Sequence, residues 1–250
     1  MSGVRDRRAS VVNSAVMLLA GMLLTACGKA PQQAFQDGLE AYNKGDFKTA
    51  MENWKPIADS GDAGAQTNVG LLYSQGKGVK QDYAQAVDWY KKAAMQNYPD
   101  AEYNLGIMYK EGKGVAADST EAARWFKYAA NSGHLRAQVK LGDMYMKGDG
   151  VPQNTRDAIP YYEMAGEKGD PDAAYALGEI YRKGDGVPQD HVHAYVWYSS
   201  AAANEYDEII RARASIARMR IINDMDEVEL AEGERQAEEM REVRRTEANQ

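Results

Sequence analysis

The sequence predicts an all-α protein, an α/α solenoid (superhelix) of stacked helical hairpins with a 36-residue repeat. The first observation is that nine positions recur at this spacing, in copies that begin at Gly70, Gly106, Gly142 and Gly178. A fixed period of this length is typical of solenoids, in which each unit buries its apolar face against its neighbours. The second is that each copy contains two stretches with apolar residues three and four apart, separated by a glycine-rich loop.

Residues 1–26 are typical of a secretory signal peptide. Three arginines among the first eight residues precede an apolar run from Ala15 to Leu24. This run is too short to span a bilayer as a helix, which needs about 20 residues. We therefore expect export of the chain and removal of this segment.

The end of the apolar run, Leu24-Thr25-Ala26-Cys27, resembles the lipobox of bacterial lipoproteins. The resemblance implies cleavage before Cys27 and acylation of its thiol, with residues 27–33 as a short tether to the membrane. The alternative is a lone buried thiol in an anchor helix. Gly28, where aspartate would favour inner-membrane retention, implies an outer membrane lipoprotein of the bacterial envelope that faces the periplasm. Cys27 is the only cysteine, so no intramolecular disulfide can form.

Residues 34–64 form the first unit, which echoes the later pattern but has an inter-helix loop five residues shorter. This shorter loop resembles the tetratricopeptide hairpin. Four full repeats then cover residues 65–204.

Local signals within each repeat predict where its two helices end and begin. The loop Gly76-Lys77-Gly78-Val79 pairs two glycines, which supply positive φ at a helix end and in a turn. Asp82 and its equivalents then stand where a side-chain oxygen can cap the second helix. Gln85 and Glu121, three residues after their caps, predict two capping boxes.

Small and aromatic residues alternate along the second helix of each repeat, as in Ala86, Trp89 and Tyr90. We expect the rings of one hairpin to pack against alanines and glycines of the next hairpin.

Pro160 lies inside one of these helices, where it removes a hydrogen bond, and predicts a kink.

Residues 205–250 depart from the repeat and predict two closing helices. The first extends from Glu205 to Ile222, and Asp224 with Glu227 predicts a capping box for the second, which ends near Thr246. The second helix is mostly charged. Its thin apolar stripe consists of Val228, Ala231, Ala237 and Met240. A polar terminal helix suits the open end of a solenoid; the alternative is that Met225 to Val243 docks another protein.

The repeat as a whole resembles the SEL-one-like repeat family, relatives of tetratricopeptide repeats. The resemblance is carried by the nine recurring positions, which in the first copy are Gly70, Tyr73, Gly76, Gly78, Val79, Asp82, Ala86, Trp89 and Tyr90. It implies an α/α superhelix that acts as an adaptor, receptor or assembly factor. The chain lacks the paired cysteines of the cysteine-rich branch, so properties tied to that branch, including proposed binding of penicillin-like compounds, are not carried over.

Charge and motifs argue against several other classes of function. A formal net charge of −7 argues against a nucleic-acid partner, which needs concentrated lysine and arginine. Ser74 to Lys77 matches the S-x-x-K acylase signature but has no K-T-G or S-D-N companion. His191 and His193, two residues apart on a helix, point in different directions and favour a capping or surface role. We therefore expect no cofactor, no metal site and no enzymatic activity.

Candidate binding residues are those of the first helix of each repeat that do not hold the scaffold. Scaffold positions stay uniform between repeats while these positions vary, which is the contrast expected between packing and recognition. The predicted protein-binding residues are Leu71, Tyr103, Ile107, Lys110, Asp143, Met146, Tyr175, Glu179 and Arg182. The alternative is that the aromatic rings among them merely pack against the adjacent first helix.

These features together predict a lipid-anchored periplasmic adaptor whose concave face binds a peptide or an envelope protein. Its membrane contact is through lipidated Cys27. Two alternatives stay open: a regulatory subunit of an envelope signalling or secretion complex, and an envelope hydrolase. A deep pocket with convergent polar groups distinguishes a hydrolase from an adaptor with an open groove.

Overall fold

The computed structural model describes residues 29–248, which form twelve α-helices and no strands. The helices are α1 (Pro31–Asn43), α2 (Phe47–Asp59), α3 (Ala63–Gln75), α4 (Tyr83–Ala94), α5 (Pro99–Glu111), α6 (Ser119–Asn131), α7 (Leu135–Lys147), α8 (Thr155–Glu167), α9 (Pro171–Lys183), α10 (His191–Ala202), α11 (Glu208–Ile222) and α12 (Glu227–Ala248). The predicted all-α solenoid is confirmed. The proposed signal peptide and Cys27 lie outside the described residues.

The helices pair into five hairpins, α1 with α2 through α9 with α10, and each helix packs on those next to it in sequence. α11 packs on α10 and α9, whereas α12 packs on α10. Buried side chains form a series of small clusters along the array rather than one central core. Stability is therefore distributed over neighbouring contacts, as in other repeat proteins.

The paired glycines of each loop have two separate roles. The first glycine ends a helix in the left-handed conformation, as Gly76 does at φ 67°. The second, Gly78, also has positive φ, and a Cβ there would lie 2.5 Å from the carbonyl oxygen of Phe47. At Gly114 the same contact, with the oxygen of Tyr83, would be 2.3 Å. The second glycine thus lets each loop rest on the second helix of the preceding hairpin.

The predicted helix caps are present, but the predicted capping boxes at Gln85 and Glu121 are wrong. The carboxylate of Asp82 accepts the N–H of Gln85 at 3.0 Å. The N–H of Asp82 donates to the carbonyl of Tyr73 in the preceding helix (3.0 Å), and that of Asp118 donates to Tyr109 (2.9 Å). Because these N–H groups are already bonded, no glutamine or glutamate is needed to satisfy them.

The two adjacent aromatic positions of the second helix point in different directions, and only the first contacts a neighbouring hairpin, which is the preceding one rather than the next. The second ring packs within its own hairpin, where a Cβ on Gly70 would lie 2.8 Å from Tyr90. The first faces the preceding hairpin, where a Cβ on Gly166 would lie 2.8 Å from Trp197. Adjacent residues of a helix lie about 100° apart, so the two rings serve two different interfaces.

Helix α8 continues through Pro160, which is exposed to solvent. α2 likewise contains a proline, Pro56, in its interior. The bend at Pro160 stays a prediction.

The C-terminal helices differ from the sequence prediction in their starts. α11 begins at Glu208 and is capped by Asp207. Asp226, rather than Asp224, caps α12: its carboxylate accepts the N–H of Glu229 at 2.8 Å, and its own N–H donates to the carboxylate of Glu229 at 3.1 Å. The capping box is therefore present but lies two residues later than predicted. Asp224 belongs to the turn, where its carbonyl oxygen lies 3.1 Å from Nδ1 of His191.

α12 buries only part of the predicted apolar stripe. Ala237 is buried and Met240 is half-buried, but Val228 and Ala231 face solvent. Gly233 completes the inner face, because a Cβ there would lie 2.9 Å from the ring of Tyr195 in α10. The inner face of α12 is thus occupied by the chain itself.

A buried polar position recurs at the start of α3, α5 and α7. Gln66 and Gln138 donate from Nε2 to the carbonyls of Ala58 and Ala130 at 3.1 Å. Glu102 occupies the equivalent position with 3% exposure, and its Oε2 has no partner among residues 29–248. Burial raises the pKa of Glu102, because removal from water disfavours the charged carboxylate.

We expect Glu102→Gln to stabilise the fold at pH 7 by about 1–3 kcal/mol, since it restores a donor at a buried site. The raised pKa means that the stability contributed by Glu102 is present below its ordinary pKa of 4.5 and is lost as pH rises through the folded-state value. Urea unfolding at pH 4 and pH 7 measures this difference. The matched control, Gln138→Glu, should introduce the same loss at pH 7. An unchanged pH dependence in both variants would contradict the assignment.

Candidate functional site

A row of open depressions follows the first helices of successive hairpins, and we call this row the groove. The depression between α5 and α7 has a volume of about 190 Å³, that between α7 and α9 about 270 Å³, and that between α9 and α11 about 390 Å³. Seven of the nine predicted binding residues line it: Ile107, Lys110, Asp143, Met146, Tyr175, Glu179 and Arg182.

Hydroxyl groups from the second helices reach the groove residues. Tyr162 in α8 donates to Asp143 at 2.8 Å, and Tyr198 in α10 donates to Glu179 at 2.6 Å. Both rings lie over the helical glycine of their own hairpin, and this close approach brings the hydroxyl to the first helix. The scaffold contact therefore also positions the carboxylates of the groove.

Glu179 is the most strongly stabilised anion of the groove. Burial opposes its charge, but hydrogen bonds from Arg182, Lys183 and Tyr198 outweigh burial and lower the pKa of Glu179 to about 2. Burial and the neighbouring Glu179 carboxylate raise the pKa of Tyr198. Glu179 thus stays ionised and Tyr198 stays a neutral donor near neutral pH. Such fixed groups suit recognition rather than proton transfer, which needs a pKa near the working pH.

The depression between α5 and α7 contains a second fixed charge pair. Lys110 forms an ion pair with Asp149 in the loop of the next hairpin and lies 3.2 Å from the hydroxyl of Ser119. The hydrogen bond from Lys110 is the main cause that lowers the pKa of Asp149. In this hairpin the position equivalent to Tyr162 and Tyr198 is Phe126, which has no hydroxyl group to donate to a groove residue.

The sequence prediction missed the five residues of α11 that line the groove: Arg213, Ile216, Ala217, Arg220 and Ile221. Arg213 lies 4.6 Å from the ring centroid of Tyr175. The repeat frame ends before α11, so a comparison between repeats could not assign these positions. The alternation of isoleucine and arginine three and four residues apart was the available signal.

Tyr103 and Leu71 do not line these depressions. The ring of Tyr103 stacks on His134 at 4.4 Å and lies 5.7 Å from Phe126, and its side chain is half-buried. This placement fits the packing alternative for Tyr103. Leu71 is half-buried on α3, outside the row.

The serine, lysine and histidine that the sequence analysis considered as catalytic or metal-binding candidates each contact a neighbouring group of the scaffold. Ser74 donates to the carbonyl of Leu71 at 2.9 Å, whereas the ammonium of Lys77 lies over Tyr42 and Phe47 of the preceding hairpin. Nδ1 of His193 lies 2.8 Å from the capping carboxylate of Asp190.

Residues 29–248 contain no group of three or more histidine, cysteine, aspartate or glutamate side chains that could hold a metal. No helix in the same range has the length and apolar character needed to span a membrane.

Comparison with known proteins identifies the repeat. Four consecutive matches to the Sel1 repeat family cover residues 63–98, 99–134, 135–170 and 171–206. A comparison with curated proteins found no match.

Two similar solved structures have the same repeat fold. A protective antigen present in uropathogenic Escherichia coli strains, which displays an SLR fold, is 34% identical with a TM-score of 0.64. That match covers 75% of this chain and 43% of the antigen, so the chain spans less than half the antigen's length. A Sel1 repeat protein from Oxalobacter formigenes is 28% identical with a TM-score of 0.63, over 76% of this chain and 84% of that protein.

Proteins with these repeats are generally non-catalytic scaffolds for protein–protein interaction. The four matched segments together span more than half of the chain, in register with the hairpins of the structure. The chain therefore belongs to the Sel1 repeat family.

Proposed function

We propose that this protein is a lipid-anchored adaptor of the bacterial envelope that binds a protein or peptide partner in the groove. The observation that carries the proposal is the groove itself: residues that vary between repeats lie side by side along it, while the uniform helical glycines, Gly106, Gly142 and Gly178, are buried beneath them. The regulatory-subunit alternative differs only in the identity of the partner.

The shape and chemistry of the groove suit an extended segment of a partner. Its depressions are open and follow one another across four helices, so side chains of one segment can occupy them in turn. Ile107 and Met146 offer apolar contacts beside the fixed charges of Lys110 and Glu179. Because these charges are already held by intramolecular bonds, the partner meets a preformed surface, which lowers the entropic cost of binding.

The envelope location rests on the N-terminal sequence. Only three residues, Gly28 to Ala30, separate Cys27 from the first residue of α1. Three residues extend at most about 10 Å, so a lipid on Cys27 would hold the solenoid against the membrane surface. Several acyl chains on one residue anchor a protein firmly, since each buried CH₂ contributes about 0.8 kcal/mol.

Photo-crosslinking in cells tests the binding face. We expect a photoreactive phenylalanine analogue at Met146 or Arg182 to give a discrete crosslinked adduct, because both residues line the groove. The same analogue at Met95, which follows α4 and is 82% exposed, serves as the control. Equal crosslinking from Met95 would contradict the assignment of the groove as the binding face.

A pair of alanine variants tests the role of Tyr103. Tyr103→Ala should lower stability by about 1–2 kcal/mol, because the ring packs on His134 and Phe126. Met146→Ala should weaken recovery of the crosslinked partner with little change in thermal midpoint. If Tyr103→Ala instead leaves the midpoint unchanged and weakens partner capture, Tyr103 is a binding residue, as the sequence predicts.

Fractionation tests the anchor. Cys27→Ser should prevent acylation and leave an unprocessed precursor or a protein released from the membrane fraction. The wild-type chain, detected in the same membrane preparation, is the control. Membrane association and processing identical to the wild type would overturn the lipoprotein proposal.

A further inference from the structure

Helix α11 has apolar side chains on two of its sides. Its inner side packs against the array through Ile210, Ala214, Ala217 and Ile221, which are all buried. On the outer side Ile209, Ile216 and Met219 are 72%, 46% and 58% exposed. Ile209 occupies the position that holds a buried alanine in the full repeats, such as Ala173. Arg213 and Ile216 likewise occupy positions that are buried in the full repeats, such as Leu177 and Ile180, whereas in α11 all three side chains face outward.

Arginines stand between these exposed apolar side chains. Residues 209, 213, 216 and 220 are spaced by four, three and four, so they lie on one face of the helix. Arg213 and Arg220 are exposed, and neither forms an ion pair with a carboxylate of residues 29–248. α11 contains four arginines and one glutamate, so this helix is positively charged, although the whole chain has a net charge of −7.

This face continues into the groove. Arg213, Ile216 and Arg220 also line the depression between α9 and α11, together with Tyr175 and Glu179. Glu179 is held by Arg182, Lys183 and Tyr198, so its charge is already compensated within α9 and α10. Asp224, at the end of α11, is the other carboxylate of this depression.

We propose that the α11 face, formed by Ile209, Arg213, Ile216, Met219 and Arg220, binds an acidic amphipathic helix of a partner protein. Apolar side chains of that helix cover the exposed isoleucines and methionine. Its carboxylates pair with Arg213 and Arg220, because arginine binds carboxylates through two parallel hydrogen bonds. The inference rests on the proposed adaptor function and names the chemistry of the partner at one end of the groove.

Charge on the neighbouring helix favours a protein over an anionic lipid surface. α12 packs on the same helix, α10, and carries eight glutamates against four arginines. An anionic membrane repels such a helix. A second copy of the chain is also disfavoured, because carboxylates of α12 are held in ion pairs within the helix, as between Arg235 and Glu232.

Binding of a synthetic peptide tests the proposal. The probe is a fluorescent 16-residue helix with leucines on one face flanked by glutamates, and its counterpart carries lysines in place of the glutamates. The full chain is held in nanodiscs of zwitterionic lipid, and empty nanodiscs give the background. We expect fluorescence anisotropy to show at least tenfold tighter binding of the acidic peptide.

Charge reversal gives the decisive comparison. Arg213→Glu with Arg220→Glu should weaken binding of the acidic peptide at least tenfold and create binding of the lysine peptide. The matched control, Arg211→Glu with Arg218→Glu, makes the same charge change at arginines outside the α11 face and should have little effect. Circular dichroism shows whether both double variants keep the fold.

An equal loss of peptide binding in the control variant, or equal binding of the two peptides, would overturn the proposal. Preferential binding of the α11 face to anionic vesicles, or self-association of the protein through this face, would also overturn it. If the acidic peptide fails to bind while Met146 and Arg182 still crosslink a partner, the adaptor function stands and this inference fails. If the peptide binds and the groove positions do not crosslink, the inference stands and the adaptor proposal fails.

Discussion

Each hairpin depends on one aromatic ring that lies directly on a helical glycine. A Cβ at any of these glycines would come within 2.3–2.8 Å of the facing ring. The pairs are Gly38 with Trp54, Gly70 with Tyr90, Gly106 with Phe126, Gly142 with Tyr162, and Gly178 with Tyr198. A glycine inside a helix costs about 1 kcal/mol relative to alanine. Burying the ring contributes about 1.5–3 kcal/mol, which offsets that cost and sets the close approach of the two helices.

The same contact connects the scaffold to the binding surface. Two of the rings end in a hydroxyl that donates to a groove carboxylate, Tyr162 to Asp143 and Tyr198 to Glu179. Phe126 has no hydroxyl, and there the groove charge is fixed by the ion pair of Lys110 with Asp149. A uniform frame can therefore present a different set of fixed charges in each repeat, which is how one fold serves recognition of a specific partner.

The features that can be predicted from the sequence are those that recur in every repeat and those that short-range bonding determines. The fold, the left-handed glycine at Gly76 and the cap at Asp82 follow from spacing and short-range bonding. The direction of Trp197, the packing of Tyr103 and the exposure of Ile209 on α11 depend on contacts between elements, which the repeat spacing does not reveal. Of the candidate binding residues, those on α5, α7 and α9 mostly lie together because variation within a uniform frame marks the exposed side of a helix. Arg213 was missed because no second copy of α11 exists for comparison.

Replacing a ring-facing glycine tests the central claim most directly. In Gly178→Ala the new Cβ would lie 2.5 Å from the ring of Tyr198, and the ring is fully buried. The measurement is the free energy of unfolding in urea. Helix propensity alone favours the alanine by about 1 kcal/mol. If the ring contact governs the hairpin, overpacking outweighs that gain and the variant loses about 1–3 kcal/mol. A variant as stable as the wild type, or more stable, would contradict this account of the fold.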